Sequence, residues 1–483
     1  MVHTSHAVGA RCTAPRAYGV STVPCNLGGT IPPASPPQAQ PPLTSVQPGA
    51  YKWRAYTVSR QERTSTCPST RTARVGRKPG GSFAMIRFFD SLFTGHVDMD
   101  RETVGYAGTP VNERSYSDED LAAALEKAED IARLLDRLGF DTFWGAEHHF
   151  QPEGYECVPN LLIMNLHLAH VTERIRLGCA FNITPMWHPL RLAEDYAMVD
   201  HLTGGRVVMG VGRGYHTREV ETFGSPLLDQ ASNRDLFEEQ VEVLLKAFNE
   251  RSFSHHGKYY DLPPRVPYRG YQLETLTLVP RPRALPVECW QPVQGVTERG
   301  LDFMVKHGIK AMTGGGVAAS GTMEPVVRAW QAAHERAGIE TELGENLAVN
   351  FHVHIADTAE QAIDELRPYF EENVKMFGPL RLIRTLSDEQ LEQMADPALA
   401  PAAGLPTVEA SIESGSTLCG TAEQVTEGLK AFEERYPGID RIGIGHPIGL
   451  PRAVILEQLQ RFAEEVAPEF STMVSEGVVA HQV

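Results

Sequence analysis

The sequence predicts an α/β protein, a (β/α)₈ TIM barrel with insertions behind a long N-terminal extension. From Ile86 onward, short β-rich apolar runs alternate with longer amphipathic stretches, the pattern of βα units around a parallel sheet. The alternation repeats eight times, which suits a closed ring. An open doubly wound sheet would ordinarily carry a glycine-rich phosphate turn after its first strand, and none follows Phe93.

The first strand is predicted over Ile86–Phe93 and the helix after it over Asp118–Gly139. Ser117 can cap that helix, Leu121, Leu125, Ala128, Ile131, Leu135 and Leu138 recur at helical spacing, and Gly139 stops it. Further strands are predicted over Phe140–Ala146, Ile175–Ile183 and Arg206–Val211, with helices at about 160–172, 190–202 and 234–249. A hairpin-like excursion rich in Tyr, Pro and Arg fills 252–284. Strands at Pro286–Pro292, Ile309–Thr313 and Leu347–Ala356 follow, each leading to a helix. Residues 379–416 read as a mobile insertion, Thr421–Tyr436 as the last barrel helix, Ile439–Ile444 as the eighth strand and Arg452–Val466 as a terminal helix.

Charge separates the extension from the body. Residues 1–84 hold ten Lys or Arg and one acid, Glu62, a charge of +9 in a chain of net −17, so the remainder carries −26. The extension is rich in Pro, Ser, Thr and Ala, as in the run Ile31 to Pro37, and shows no helical or strand periodicity. It is expected to be disordered. Met85, just ahead of the first strand, is an alternative natural first residue. The barrel is assigned 85–470 and a flexible tail 471–483. An acidic body argues against nucleic-acid or anionic-membrane partners. No run approaches the ~18 apolar residues of a membrane span. Seven cysteines without a CxxC pair fit a reduced, cytoplasmic protein.

Unusual residues gather where the strands end, which is where barrel chemistry sits. The second strand ends in Gly145-Ala146-Glu147-His148-His149-Phe150. Adjacent strand residues face opposite ways, so Glu147 and His148 suit one metal ion poorly, whereas a histidine suits proton transfer at neutral pH. The fourth ends in Gly212-Arg213-Gly214-Tyr215-His216, where glycines allow close backbone approach and Arg213 can fork onto phosphate oxygens, or simply turn the chain. Ser232-Asn233-Arg234 opens a helix, a second place for an anion. His352 and His354 read as buried structural histidines.

The run Gly139 to Phe150 resembles the Gly-Phe-Asp, Trp, Glu-His-His-Phe segment of the bacterial-luciferase-like flavin-dependent monooxygenase family. His188 to Asp195, Asp200, Gly205-Arg206, Gly212 to Tyr215, Phe223-Gly224, Ser232 to Arg234 and Leu418 to Val425 continue the likeness in order, over about residues 86–467. The resemblance implies an enzyme that takes reduced FMN from a separate flavin reductase and uses O₂ to oxygenate a small organic substrate. It implies His148 as the catalytic proton carrier, with Glu147 beside it. Arg213 and Arg234 match phosphate-binding positions, and Gln294, Gly295, Val296 and Thr297 occupy the place of another phosphate contact. Gly212, Gly214 and Tyr215 lie in the same cofactor loop. Ala180-Phe181-Asn182 matches a segment that supports the flavin ring, often through a non-prolyl cis peptide.

The family also pairs barrels, so a homodimer is expected, through helices carrying Leu161, Leu162, Leu166, Leu190 and Leu192. Gly212 stands where the luciferase α chain has a Cys, and light emission is not expected. A deazaflavin-dependent dehydrogenase of the same fold is the nearest alternative. A metal-dependent barrel hydrolase and a flavin binder without turnover are the others. No bound metal is expected on the leading reading. Phe93, His96, Trp187, Tyr215 and His446 are the candidate pocket wall.

Overall fold

The structure is a computed structural model that describes residues 86–293, 295–314 and 323–470. The expectations for 1–84, Met85, Gln294 and 471–483 lie outside the described residues. Eight parallel strands form the ring: β1 (Phe88–Phe93), β2 (Thr142–Gly145), β3 (Arg176–Cys179), β4 (Val207–Gly212), β5 (Cys289–Pro292), β6 (Lys310–Thr313), β7 (Leu347–Ile355) and β8 (Arg441–Gly445). Each pairs in parallel with the next, and Phe88 opposite Arg441 joins β1 to β8, so the sheet closes on itself. Closure leaves the ring itself without an unpaired edge strand.

The helices follow in sequence: α1 (Asp118–Leu138), α2 (Leu161–Val171), α3 (Pro189–Leu202), α4 (Gln230–Asn249), α5 (Glu298–Lys306), α6 (Met323–Arg336), α7 (Ala359–Phe377), α8 (Ala422–Arg435) and α9 (Arg452–Arg461). Ser117 caps α1 in a reciprocal box with Asp120, and Gly139 ends it at φ 84°. The 252–284 excursion is indeed built of hairpins, pairing His255–His256 with Asp261–Leu262 and Pro267–Tyr268 with Tyr271–Gln272. Among the described residues no helix is long and apolar enough to cross a membrane.

Strand alternation divides the core in two. Phe89, Phe143, Leu177, Met209, Val349 and Ile442 face the helices, while Trp144, Val208, Trp290, Met312 and Ala348 fill the barrel with Leu92. Trp144 donates to Asp90 Oδ2 at 2.8 Å, and Arg441 bridges Asp90 and Asp141 at 2.6 Å each. Asp90 and Arg441 are buried and Asp141 partly so, and the charges compensate one another largely in place of water.

Two expectations are corrected. Residues 379–416 are folded: Leu386, Met394, Ala400, Leu405 and Val408 are buried against Leu366, Phe370 and Val374 of α7. The loss of water-exposed apolar surface holds the segment down, and its short helices hid in a Pro- and Ala-rich stretch. Thr417–Gly420 is also an additional strand, paired with the half of β7 that extends beyond the ring. Four residues give too short a pattern for alternation to reveal.

Loops over the mouth are fixed by Glu372 of α7, fully buried. It accepts from Arg114 Nε at 2.8 Å, Tyr155 Oη at 2.5 Å and Gly105 N at 3.0 Å, with Lys375 Nζ at 3.0 Å. In the wall, a Cβ on Gly210 would lie inside contact distance of the Cys179 carbonyl. Gly210→Ala should therefore cost at least ~1–3 kcal/mol, the usual penalty of overpacking. Urea unfolding would measure it, and an unchanged midpoint would refute the packing argument.

Candidate active site

The chain after β2 turns away from the sheet, and consecutive side chains go to different walls. Glu147 accepts from Ile183 N at 2.7 Å and Trp187 Nε1 at 2.9 Å, with His149 Nε2 at 3.3 Å from it. Its buried carboxylate thus fastens the segment after β3 and is not hydrogen-bonded to the His148 ring. The Ala180–Phe181 peptide bond in that segment is cis. Asn182 Nδ2 donates to the Gly210 carbonyl at 2.9 Å, and a Cβ on Gly212 would sit 3.1 Å from Phe181 Cβ. Glycine on β4 is what lets the two segments meet.

His148 turns the other way, into a buried polar cluster. Its Nδ1 lies 3.2 Å from Glu219 Oε1, and its Nε2 lies 3.2 Å from Glu156 Oε1 and 3.1 Å from Tyr215 Oη. Tyr215 donates to Glu156 at 3.0 Å, while His216 Nε2 is 3.2 Å from the other Glu156 oxygen. Gln151 Nε2 donates to both acids, and His149 N to Glu219. Burial alone would depress the basicity of His148, but the Glu156 and Glu219 carboxylates outweigh it and raise it. Burial works against Glu219 as well, yet its bond to His148 and that charge hold it at about 2. A cavity of about 320 Å³, lined in part by Gln151, Glu153, Tyr155, His216 and Arg218, opens beside the cluster.

The remaining predicted residues form a second centre. Arg213 donates from Nε to Asn233 Oδ1 at 2.8 Å and from Nη2 to Gln230 Oε1 at 3.0 Å, both neutral partners. Among the described residues no carboxylate pairs with it. Burial, then repulsion by Arg234, brings it down to about 10. A Cβ on Gly300 would lie 3.0 Å from Arg234 Nη1 and from Thr297 Oγ1. Thr297 is the N-cap of α5 without a side-chain cap bond, so the helix's first amides lack that internal acceptor. Arg234 at an uncapped helix start, with Arg213 close enough to be repelled by it, makes a donor set that fits a phosphate. Gly295 closes the group, with Arg384 Nη2 about 3.4 Å from where its Cβ would be. Val296 is half exposed beside it.

Sequence reasoning missed Glu156, Glu219 and Arg384, which reach these centres from separate loops. Glu219 follows Tyr215 by one helical turn, the one local signal available. The proposed wall is reassigned in part. Phe93 packs among core residues with the Lys127 amine over its ring, and the Trp187 ring nitrogen is held by Glu147. Burial takes His446 down to about 3. Burial likewise lowers His352 to about 4, whereas His354 bonds Glu365 at 2.9 Å.

A family model described as luciferase-like monooxygenase matches residues 103–438, most of the barrel. The chain belongs to the luciferase-like monooxygenase family. The y4vJ protein of Sinorhizobium fredii is 38% identical over 143 residues, 30% of this chain and 39% of that one, so the chain matches about two fifths of it. Longer matches are 4-hydroxyprotoasukamycin monooxygenase of Streptomyces nodosus subsp. asukaensis (26% identity, 73% of this chain, 89% of that one) and the oxygenase component of the flavin-dependent trigonelline monooxygenase of Acinetobacter baylyi (25%, 71%, 89%). In fold, the chain is similar to the oxygenating constituent of 3,6-diketocamphane monooxygenase from Pseudomonas putida, solved with FMN. The TM-score is 0.59 at 19% identity, over 80% of this chain and 99% of that one. An F420-dependent secondary alcohol dehydrogenase shares the fold too (TM-score 0.52, 16% identity, 77% and 98%).

In this luciferase-like barrel the buried histidine–carboxylate pair has a defined pH signature. Glu219, held below its ordinary 4.5, contributes stability that is present above about pH 4.5 and lost as pH falls towards 2. His148, raised above its ordinary 6.5, contributes stability present below 6.5 and lost as pH climbs through its folded value. Glu219→Gln should lower stability at neutral pH and flatten the acid limb of the unfolding curve between about 4.5 and 2. Parallel curves for variant and wild type would show that Glu219 does not carry it.

Proposed function

We propose that the chain is the oxygenase of a two-component, FMN-dependent monooxygenase system: it binds reduced FMN delivered by a flavin reductase and uses O₂ to oxygenate a small organic molecule. The observation that carries this reading is Arg213, which among the described residues has no acid partner, close to Arg234 and beside the loop that also presents Tyr215 to His148. Reduced FMN would supply the electrons that activate O₂. The protein's own groups do the rest. Arg213, Arg234 and Thr297 hold the phosphate, with Gly295 and Val296 in the same loop. The cis segment Ala180-Phe181-Asn182 and the glycines 212 and 214 shape the floor for the ring. His148, kept basic by two carboxylates, carries a proton at Nε2 while Glu219 fixes its Nδ1. Glu147 positions the cis segment.

On the same reading the protein works in the cytoplasm as a homodimer. The leucines expected at the dimer face are largely spent on the barrel: Leu161, Leu162 and Leu192 are buried, and Leu166 and Leu190 pack partly against the core. The apolar side chains α2 and α3 leave exposed are Ile163, Met198 and Leu202, so pairing would use those. Light scattering at micromolar concentration reporting a single chain would refute it.

A deazaflavin-dependent dehydrogenase is the second reading, because the dehydrogenase neighbour has the same fold. Stopped-flow oxidation separates the two: bound reduced FMN should consume O₂, and bound reduced deazaflavin should not.

His148→Ala should leave flavin affinity within a few-fold and lower substrate-dependent oxygenation by ~10²–10⁴, the usual worth of a positioned acid or base. Unchanged turnover would remove His148 from the chemistry. Arg213→Ala should weaken reduced FMN by ~10–10³-fold, from charge-assisted bonds worth ~1.5–3 kcal/mol each. Riboflavin, which lacks the phosphate, should bind the variant as it binds the wild type. Equal losses for both flavins would take Arg213 out of the phosphate site.

A further inference from the structure

The cluster around His148 has a geometry that proton transfer alone does not require. One ligand-capable atom from each of His148, Glu156 and His216 lies within 4.8 Å of the other two, and all three residues are buried. Donors bound tetrahedrally at ~2.0–2.1 Å, the bond length of Zn²⁺ to imidazole, stand about 3.3 Å apart. His148 Nε2 to Glu156 Oε1 and His216 Nε2 to Glu156 Oε2 are both 3.2 Å. Tyr215 Oη, 3.1 Å from His148 Nε2 and 3.0 Å from Glu156 Oε1, stands at a further corner.

The surroundings are those of a ligand set. Glu219 at Nδ1 of His148 fixes the tautomer that leaves an Nε2 lone pair facing inwards, the carboxylate–histidine arrangement that orients metal-binding imidazoles. Gln151 Nε2 donates to Glu156 Oε2 at 3.1 Å and steadies the carboxylate. His216 also lines the 320 Å³ cavity, which gives an ion a way in. His149 and Glu147, the neighbours that look like ligands in sequence, are committed to each other and to Trp187.

We propose that His148, Glu156 and His216 form a binding site for one divalent transition-metal ion of the Zn²⁺ class, with the fourth position open to Tyr215 or water. Two imidazoles and one carboxylate favour such an ion over Mg²⁺ or Ca²⁺, which take oxygen ligands. An ion there occupies the His148 nitrogen that otherwise carries the proton. On the oxygenase reading, the site therefore blocks turnover instead of supporting it.

Metal binding can be read without flavin, so failure of this inference and failure of the oxygenase reading are distinguishable. Full-length, flavin-free protein stripped with a chelator is titrated with Co²⁺, with Zn²⁺ and with Mg²⁺. One equivalent should bind at roughly micromolar affinity or tighter, with the intense visible absorption of four-coordinate Co²⁺. Glu219→Gln should weaken binding by ~10–100-fold, the usual cost of an outer-shell partner, and His216→Ala and Glu156→Gln by more. His256→Ala, at an exposed surface pair with Asp261, should change nothing. Far-UV circular dichroism and a thermal melt check that each variant is folded. The absence of saturable binding by the wild type overturns the proposal whatever the variants do. So does a folded His216→Ala that binds as tightly as the wild type, or a preference for Mg²⁺.

Discussion

The Glu147 carboxylate is the contact on which the mouth of this barrel depends. It is buried, so it must find donors in the protein, and the Ile183 amide and the Trp187 indole supply them. That requirement draws the chain after β3 over the end of β2. Gly210 and Gly212 leave room for it against β4, and Asn182 then bonds the Gly210 carbonyl. Because Glu147 points towards β3, the next side chain, His148, is left to point towards the chain after β4. The two faces of one dipeptide thus organise two different parts of the site.

A second buried acid, Glu219, answers the first. It gathers the His148 ring, the His149 amide and the Gln151 amide group, tying the loop after β2 to the loop after β4. Burial of a lone carboxylate would push it towards the neutral form; these donors, and the charge on His148, push it the other way. The same exchange leaves His148 more basic than burial alone would allow. Removing either partner would strand the other in a poorly solvating wall, and a pair of this kind is costly to break whatever its net worth.

The ring of eight strands and its helices was legible because periodicity of two and of 3.6 is written locally, as are caps such as Ser117 with Asp120. The strand-end positions of His148 and Arg213 and the cis Ala180–Phe181 bond were legible because short motifs carry them. Glu156 and Glu219 were not, since a carboxylate looks the same in sequence whether it meets water or a histidine 60 or 71 positions away. The 379–416 insertion was misread for a related reason. Its burial comes from matching apolar positions on α7, a long-range fit that composition does not record. Leucines on α2 and α3 misled in the opposite sense, because richness in Leu does not say which face of a helix a neighbour covers.

Electrostatics separates the two centres as clearly as packing does. Around His148 the negative charge comes from the protein, from Glu156 and Glu219, and the balance is internal. Around Arg213 it does not: neutral oxygens of Asn233 and Gln230 orient the guanidinium, Arg234 repels it, and Glu238, the acid within reach, is taken by Arg299 at 2.6 Å and stands 3.8 Å from Arg234. Orienting an arginine with neutral groups fixes its fork while leaving its charge uncompensated. Such an arrangement costs stability in the empty protein and would return it if an anion bound, which is what the proposed phosphate site requires of it.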